Sequence, residues 1–320
     1  MRTRLVAAAA SLAALLAGCS SGGVYPATPL PASSTPAPTT STTTGAAPAC
    51  ANPTASYQPD GLPGPGDLPA GSYMQAIRAR GRLIAGVSAD TLQLGARNPL
   101  TGQIEGFDID MLRLVADAIF GDPSRIELRV ITAADRIPVL ANGTVDIVAR
   151  NFSITCARWQ QIAFSAEYYR SGQKVLVPLG SRAQTLSDLK DKRVCAPAGS
   201  TSLAKIGDFA GVIPVAAATH TGCLVLLQQG QIDAITGDDT VLAGLSAQDP
   251  YAKVTAAKAF TVEPYGLGIA NSHPEFVRFV NAVLERAKRD GTWTRAYNTW
   301  LAGALGPAPA PPAAVYGRTP

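Results

Sequence analysis

A polar segment that follows a β-branched run carries the residues best suited to binding chemistry. Residues 145–149 are predicted as a buried strand, and Asn151, Ser153 and Thr155 follow at alternate positions, which places them on one side of an extended chain. Arg158 comes three residues later, where the sequence favours a short helix. Hydroxyls, free N–H groups at a helix start and a guanidinium together suit an anion such as a carboxylate. Alternatively, Arg158 makes a surface ion pair and a hydroxyl caps the helix.

A second polar segment precedes another predicted helix. Residues 193–196 are predicted as a strand, which runs into Pro-Ala-Gly-Ser-Thr-Ser at 197–202. Ser200 and Thr201 therefore offer hydroxyls and free N–H groups to an anion, although ordinary helix capping explains either residue taken alone. Two such segments in the two halves of one chain favour binding over capping.

An acid pair, Asp238 and Asp239, lies at the end of a short predicted strand, 232–236. A carboxylate in that position can hold an ammonium group, or it can cap the helix that follows. Asp108 and Asp110, in contrast, stand at the start of a predicted helix and are interpreted as structural residues that favour the helix dipole.

The elements that position these residues alternate between strand and helix. Strands predicted at 82–87, 126–131 and 145–149 are separated by helical stretches that begin near residues 106 and 133. This βαβαβ order predicts a parallel sheet with ligands at the carboxyl ends of its strands. Further segments predicted as strands or helices are 73–80, 173–178, 186–189, 220–229, 259–262, 265–270, 276–289 and 293–301, and another helix is predicted to begin at residue 241.

The N-terminal end has the features of a secretory leader. Arg2 and Arg4 precede an apolar run at 5–16, which is too short to span a membrane and leads into Leu-Ala-Gly-Cys. This four-residue pattern resembles the lipobox of bacterial lipoproteins. The resemblance implies a signal peptide, residues 1–18, and a lipid on Cys19; the alternative is an apolar run that ends in cysteine by chance.

Two stretches have too few large apolar side chains to build a core. Residues 19–48 are predicted to form a disordered, lipid-anchored tether, and residues 305–320 a disordered tail. About 250 residues lie between them, enough for two lobes with separate cores. The formal net charge is +4 and the chain has no basic run, which argues against nucleic acid as a partner.

The cysteines indicate an oxidising compartment. Four remain besides Cys19, an even number that predicts two disulfides in an exported protein. Of the three pairings that four cysteines allow, we favour Cys195 with Cys223 and Cys50 with Cys156, the second of which would fasten the end of the tether beside the polar segment. No metal and no cofactor are predicted, because the cysteine spacing fits no zinc pattern and the chain has only two histidines.

Several motifs together resemble the bacterial solute-binding proteins for polar amino acids, the extracellular components of ABC importers. The motifs are GFDID at 106–110, VDIVA at 145–149, the polar segment with Arg158, and IDAITGDD at 232–239; the resemblance covers residues 72–301. It implies an α/β, two-lobed periplasmic-binding-protein fold (type II). Each lobe would be a mixed, mostly parallel sheet flanked by helices, and a two-stranded hinge would let the lobes close on ligand.

The resemblance also divides the chain. Lobe 1 would contain residues 49–175 and 263–304, and lobe 2 residues 176–262. Hinge strands are expected near 174–178 and 263–266. Each lobe would then supply half of an amino-acid clamp.

By position in this family, Arg158 would bind the α-carboxylate of the ligand and Asp238 its α-ammonium. Asn151, Ser153 and Thr201 would help with the carboxylate, and Ser200 is a further candidate for ligand binding. Arg136 and His220 stand where glutamate and aspartate binders carry an arginine and a histidine for the side-chain carboxylate. Because the loop 88–94 has no close match in the family, glutamate, aspartate, asparagine and glutamine all stay open as ligands.

The resemblance implies a monomeric, lipid-anchored protein on the extracytoplasmic face of the cell membrane. It would bind one amino acid without catalysis and present it to the membrane permease of an ABC importer. One alternative is a sensor that docks on a membrane signalling receptor. Another is an enzyme on the same fold, a dehydratase or a glycan-cleaving enzyme; retaining glycosidases need two carboxyl groups about 5 Å apart, and the adjacent Asp238 and Asp239 are expected to diverge.

Overall fold

The computed structural model describes residues 50–320. The predicted signal peptide at 1–18, Cys19 and the predicted tether at 19–48 lie outside the described residues. Within the described part of the chain, no helix combines the length and the apolar character that crossing a membrane requires.

The strands and helices follow the predicted alternation along most of the chain, but residues 259–262, predicted as a strand, lie in the connection between the strands Ala252–Val254 and Glu263–Tyr265. In chain order the strands are β1 Ala55–Ser56, β2 Leu83–Val87, β3 Asp90–Thr91, β4 Gly95–Arg97, β5 Ile104–Glu105, β6 Ile126–Val130, β7 Ile147–Ala149, β8 Ala163–Phe164, β9 Tyr169–Ser171, β10 Gln173–Pro178, β11 Arg193–Pro197, β12 Ile213–Ala217, β13 Ala234–Asp238, β14 Ala252–Val254, β15 Glu263–Tyr265, β16 Gly268–Ile269 and β17 Val315–Tyr316. The α-helices are α1 Tyr73–Arg80, α2 Phe107–Phe120, α3 Arg136–Ala141, α4 Cys156–Trp159, α5 Thr201–Ile206, α6 His220–Gln228, α7 Asp239–Gln248, α8 Pro274–Arg289, α9 Thr292–Trp300 and α10 Ala302–Leu305. A short 3-10 helix, Leu186–Leu189, lies between β10 and β11.

Lobe 1 contains a five-stranded sheet of order β6-β2-β7-β16-β8. β2 is parallel to both β6 and β7, which confirms the predicted βαβαβ order, and β16 runs antiparallel between β7 and β8. All five residues of β2 are buried, as expected of a central parallel strand. Phe107, at the start of α2, is fully buried, and its ring packs edge-on against Tyr169 and Trp293. The returning segment that carries Trp293 therefore completes the core of this lobe.

Lobe 2 contains a second five-stranded sheet, of order β12-β11-β13-β10-β14. β11 is parallel to β12 and β13, whereas β10 is antiparallel to β13 and β14. The two faces of the sheet carry separate apolar clusters. Ile235 packs in one cluster with Leu242 of α7, and its neighbour Ala234 packs in the other with Ile206 of α5. Successive residues of β13 thus lie in two different apolar clusters, because the side chains of a β-strand point alternately to opposite faces of the sheet.

The hinge consists of β9 and β15, which pair antiparallel with Tyr169 opposite Tyr265. The sequence predicts the first hinge strand at 174–178 and a lobe boundary after residue 175. The structure contradicts both, because those residues belong to β10 in the lobe 2 sheet. The apolar side chains at 175–177 are fully buried in that sheet, so the chain has already entered lobe 2 before them. The second hinge strand lies where the resemblance places it.

The Pro- and Ala-rich tail is ordered, which corrects the prediction that residues 305–320 are disordered. β17 pairs in parallel with β1, and the hydroxyl of Tyr316 donates a hydrogen bond to a carboxylate oxygen of Glu285 (2.7 Å). The guanidinium of Arg318 lies 4.0 Å from the centre of the Trp159 ring. A segment of this composition cannot build its own core, but it can add hydrogen bonds and stacking to a surface that lobe 1 already provides.

Both disulfides favoured from the sequence are present. The Cα atoms of Cys50 and Cys156 are 5.7 Å apart and those of Cys195 and Cys223 are 5.6 Å apart, within the range of natural disulfides. The first bond ties the N-terminal arm to the first residue of α4, and the second ties α6 to β11. Each bond therefore holds a helix that carries one of the predicted site residues.

Deleting residues 307–320 should destabilise lobe 1, because Trp159 would lose its stacked guanidinium and Glu285 its hydrogen bond. We expect the free energy of unfolding to fall by about 2 kcal/mol, measured by urea denaturation followed by tryptophan fluorescence. Replacing the exposed Arg295 on α9 by alanine serves as a control with no expected change. An unchanged urea midpoint in the truncated chain would show that the tail contributes nothing to the fold.

Candidate functional site

The predicted binding residues lie where the two sheets face each other. β7 of lobe 1 leads into the polar segment 150–155, and three contacts join this segment and its surroundings to lobe 2, one of them from Arg158 Nη2 to the carbonyl oxygen of Gly199 (3.2 Å). Arg136 Nη2 donates a hydrogen bond to the carbonyl oxygen of Gly199 (3.1 Å), and the hydroxyl oxygens of Ser153 and Thr201 are 3.4 Å apart. Lobe 1 supplies Arg136, Asn151, Ser153 and Arg158, and lobe 2 supplies Ser200, Thr201, His220 and Asp238. The cleft therefore lies at the carboxyl ends of the parallel strands, as predicted.

Arg158 has three N–H groups that the described residues leave unused. Its Nη1 donates to the carbonyl of Ser153 (2.6 Å) and its Nη2 to the carbonyl of Gly199 (3.2 Å), and the guanidinium lies 5.0 Å from the centre of the Phe152 ring. A guanidinium carries five N–H donors, so these two bonds leave three. Burial lowers the pKa of Arg158 to about 10, although Glu263 acts in the opposite direction. Within residues 50–320, no carboxylate oxygen lies within 4.0 Å of this guanidinium.

Arg136 is held more tightly by the main chain. Its Nε donates to the carbonyl of Ala133 (2.8 Å), its Nη1 to the carbonyls of Arg150 and Asn151 (3.2 Å each), and its Nη2 to Gly199 (3.1 Å). Four of its five donors are therefore occupied. Burial and two neighbouring guanidinium groups lower its pKa. Arg136 thus holds the polar segment in place and has one N–H without a partner among the described residues.

Arg150 is a third buried arginine, and it is absent from the residues predicted from the sequence. Its Nε donates to the carbonyl of Ile131 (2.8 Å). Burial lowers its pKa, while the carboxylates of Asp90, Asp108 and Asp135 act in the opposite direction. Because those carboxylates balance its charge, Arg150 is a structural cation. The signal in the sequence was a charged residue directly after an apolar strand.

Asn151 turns the chain at the start of the polar segment. Its backbone φ is +35°, a left-handed value that asparagine tolerates better than most residues, and its N–H donates to Asp108 Oδ2 (2.9 Å). The other oxygen of Asp108 accepts a hydrogen bond from the hydroxyl of Tyr168 (2.6 Å). Burial raises the pKa of Asp108 to about 6. Asp108 is therefore a structural residue, as its position at the start of α2 indicates, and it fixes one wall of the cleft.

Two of the predicted hydroxyls act as helix caps. Thr155 accepts a hydrogen bond from the backbone N–H of Arg158 (3.2 Å). Ser200 accepts one from the backbone N–H of Leu203 (3.0 Å) and donates its only hydroxyl hydrogen to the carbonyl of Pro197 (2.6 Å). For both residues the capping alternative accounts for the hydroxyl, so Ser200 has no hydroxyl hydrogen left for a ligand.

Asp238 has a free, buried acceptor. Its Oδ2 accepts a hydrogen bond from the hydroxyl of Tyr265 (2.6 Å), and its Oδ1 is buried without a partner among the described residues. Burial, together with the charge of Glu263, raises the pKa of Asp238 to about 7. Glu263 itself accepts hydrogen bonds from the hydroxyls of Thr201 (3.0 Å) and Thr261 (2.9 Å). Glu263 and Tyr265 lie in the hinge strand β15, and sequence reasoning gave neither a role in the site.

His220 is the first residue of α6 and is buried. Burial, together with the charge of Arg150, lowers its pKa to about 4, so the imidazole is neutral at pH 7. Its Nε2 is buried without a hydrogen-bond partner in residues 50–320 and lies against Gly237, where an added Cβ would be 2.5 Å away. His220 therefore offers a neutral hydrogen-bonding group, and not a positive charge that would attract the side-chain carboxylate of an acidic ligand.

The chain resembles extracellular receptors of bacteria along most of its length. The family of bacterial extracellular solute-binding proteins, family 3, matches residues 83–303. The ABC transporter glutamine-binding protein GlnH of Bacillus subtilis (strain 168) is 34% identical over 230 residues, which cover 71% of this chain and 84% of that protein. The glutamate-binding protein GluB of Corynebacterium glutamicum is 34% identical over 242 residues, which cover 72% of this chain and 82% of that protein.

Solved structures of amino-acid-binding proteins have the same fold as this chain. An ancestral arginine-binding protein bound to glutamine superposes with a TM-score of 0.66 at 30% identity, covering 69% of this chain and 98% of that chain. The two-lobed architecture is that of the type II periplasmic amino-acid-binding proteins. The chain therefore belongs to family 3 of the bacterial extracellular solute-binding proteins.

Proposed function

We propose that this protein binds one polar amino acid between its lobes and presents it to the membrane permease of an ABC importer. Glutamate and aspartate are the first candidates, and asparagine and glutamine follow. The observation that carries the proposal is a charge arrangement. Arg158 is buried in lobe 1 with no carboxylate within 4.0 Å in residues 50–320, and Asp238 is buried in lobe 2 with one oxygen that has no partner there.

This arrangement matches the two groups that every free α-amino acid carries. The three remaining N–H groups of Arg158 suit a carboxylate, which a guanidinium binds through two parallel hydrogen bonds. The free oxygen of Asp238 suits the ammonium group. Burying either protein charge without a partner costs several kcal/mol, and a zwitterionic ligand would compensate both at once. Ser153 and Thr201, whose hydroxyls approach each other from the two lobes, would line the same space.

The side chain of the ligand would lie near Arg136 and His220. Arg136 keeps one N–H and its positive charge, which favours a second carboxylate over a neutral amide. His220 is neutral at pH 7, and one ring N–H is directed to the backbone carbonyl of Thr236, so the unpartnered Nε2 accepts a hydrogen bond, which an amide NH2 group can donate and a carboxylate cannot. We therefore propose a preference for glutamate and aspartate that is carried mainly by Arg136.

The names of the relatives support a polar amino acid as the ligand of this protein. The protein from Bacillus subtilis is named for glutamine and the one from Corynebacterium glutamicum for glutamate. Both are about equally similar to this chain, which fits a ligand set that includes acids and amides.

The proposed location of the protein is the cell membrane, to which a lipid would attach it. Cleavage before Cys19 and lipidation of its thiol would hold a monomer at the extracytoplasmic face of the cell membrane. The alternative is an amino-acid sensor that docks on a membrane signalling receptor. Co-purification of the membrane partner with the full chain separates the two functions.

An enzymatic function on the same fold has less support. Asp238 accepts its hydrogen bond from Tyr265, whereas Asp239 accepts one from Ser171 (2.5 Å), so the adjacent carboxylates have separate partners. Among residues 50–320, no cluster of histidine, cysteine and acidic side chains could hold a metal ion. We propose that the protein binds its ligand unchanged.

Replacing Arg158 by alanine should abolish binding of all four amino acids. The α-carboxylate would be buried without its paired charge, at a cost of about 3–5 kcal/mol, or at least about a hundredfold in Kd. Isothermal titration calorimetry of Arg158→Ala with glutamate, aspartate, asparagine and glutamine measures this loss, and Arg295→Ala is the matched exposed control. Micromolar affinity retained by Arg158→Ala would mean that the carboxylate binds elsewhere.

Replacing Arg136 by alanine should weaken all four ligands and the two acids most. The common loss follows from the removed hydrogen bonds to the polar segment, and the additional loss for glutamate and aspartate should be about 1–2 kcal/mol. The same calorimetric series measures both effects. Equal losses for acids and amides would leave Arg136 a purely structural role.

Affinity should fall as the pH drops below about 7. The ionised carboxylate of Asp238 is the form that attracts an ammonium group, and its raised pKa means that it becomes protonated in this range. The free amino acids keep their charges between pH 5.5 and 8, roughly, so the protein causes the change. Titrations across this range should show up to about tenfold loss per pH unit below the pKa. Asp238→Asn should bind weakly without this slope, and an unchanged slope in that variant would assign the effect to another group, such as Asp108.

A further inference from the structure

The loop 88–94 of lobe 1, called here the latch loop, touches two helices of lobe 2. Thr221 of α6 donates a hydrogen bond from its hydroxyl to the carbonyl oxygen of Asp90 (3.2 Å). On α7, Gly244 packs against Leu92 of the loop. These contacts cross the cleft and involve neither hinge strand.

Gly244 explains how the loop can approach so closely. It is a buried residue in the middle of α7, where glycine weakens a helix relative to alanine. A Cβ at this position would lie 2.9 Å from the carbonyl oxygen of Leu92 and 3.2 Å from its Cβ. The nearer of these neighbours is main chain and cannot rotate away. The glycine therefore serves the contact with the other lobe and not the helix itself.

Asp90 adds an electrostatic contact at the start of α6. Burial raises the pKa of Asp90, but hydrogen bonds from Thr219 and Ser88 and the charge of Arg150 outweigh it, and the net effect lowers the pKa. The ionised carboxylate lies next to Thr219, the N-cap of this nine-residue helix. A negative charge at a helix N-terminus is favourable. Opening the lobes would separate Asp90 from that end of the helix.

We infer that the latch loop holds the lobes closed, through Leu92 against Gly244 and Asp90 against α6, and thereby sets the affinity for ligand. The inference rests on the proposed function. Closure and binding are coupled equilibria, so the apparent Kd rises as the fraction of closed molecules falls. Leu92 and Gly244 are outside the proposed set of ligand-binding residues. Loss of their contact should therefore weaken every ligand by the same factor, whatever its side chain.

Two helical glycines of lobe 2 provide matched variants. At Gly222 in α6, an added Cβ would be 3.6 Å from its nearest neighbours, an ordinary contact, whereas at Gly244 it collides with Leu92. Gly222→Ala and Gly244→Ala both improve helix propensity, so neither variant of the full chain should melt at a lower temperature. We expect Gly222→Ala to bind glutamate, aspartate, asparagine and glutamine as the wild type does. Gly244→Ala should bind all four about tenfold more weakly, mainly through faster dissociation in stopped-flow measurements.

The outcomes separate the latch from the proposed function. A Kd for Gly244→Ala within about twofold of the wild-type value, or a loss that differs among the four ligands, would overturn the latch. If the wild type binds none of the four, the proposed function fails. In that case, the radius of gyration of the ligand-free chains, measured by small-angle X-ray scattering, tests whether the latch loop holds the lobes closed. Gly244→Ala should have a larger radius of gyration than the wild type and Gly222→Ala, and equal radii overturn the inference.

Discussion

Positive charge buried between the lobes is the constraint on which the rest of the structure depends. The guanidinium groups of Arg136 and Arg158 lie 4.4 and 5.0 Å from the centre of the Phe152 ring. In residues 50–320 their hydrogen bonds go to main-chain carbonyls and not to carboxylates. Carbonyl dipoles orient a guanidinium without neutralising it, the carboxylates of Glu263 and Asp238 attract Arg158 only from beyond 4.0 Å, and a buried charge without a close partner is costly. The protein therefore keeps in place a charge that an anionic group of a ligand can satisfy.

The fold couples that site to lobe movement. Tyr265 belongs to the hinge strand β15, and its hydroxyl donates to Asp238, the residue proposed to hold the ligand ammonium. Gly199 of lobe 2 accepts hydrogen bonds from both arginines of lobe 1. Only glycine fits at position 199. The backbone φ there is +72°, and an added Cβ would lie 2.8 Å from the Cα of Ala134. Closure thus changes the surroundings of the same groups that would contact the ligand.

Most of the larger strands and helices could be predicted from the sequence, and the residues predicted for the site do face each other across the lobes. Strands such as β2 and β7 are recognisable by their buried apolar residues. Arg158 follows the polar segment after β7, and Asp238 is the last residue of β13. The first hinge strand was misplaced because a strand that crosses between lobes and one that enters a sheet have the same apolar pattern. The tail was wrongly predicted to be disordered because its composition shows only that it cannot form its own core. Composition does not show whether a segment packs on the surface of another part of the chain. Which donors of Arg136 are occupied depends on tertiary contacts that no local pattern contains.

The central claim is that Arg158 and Asp238 together hold the two charged groups of a free amino acid. Calorimetric titration of the full chain with glutamate, glutarate and 4-aminobutyrate tests it most directly, because the second compound lacks the α-ammonium and the third lacks the α-carboxylate. The account predicts binding of glutamate and loss of binding for both analogues. Equal binding of glutarate would contradict the role of Asp238, and equal binding of 4-aminobutyrate would contradict that of Arg158.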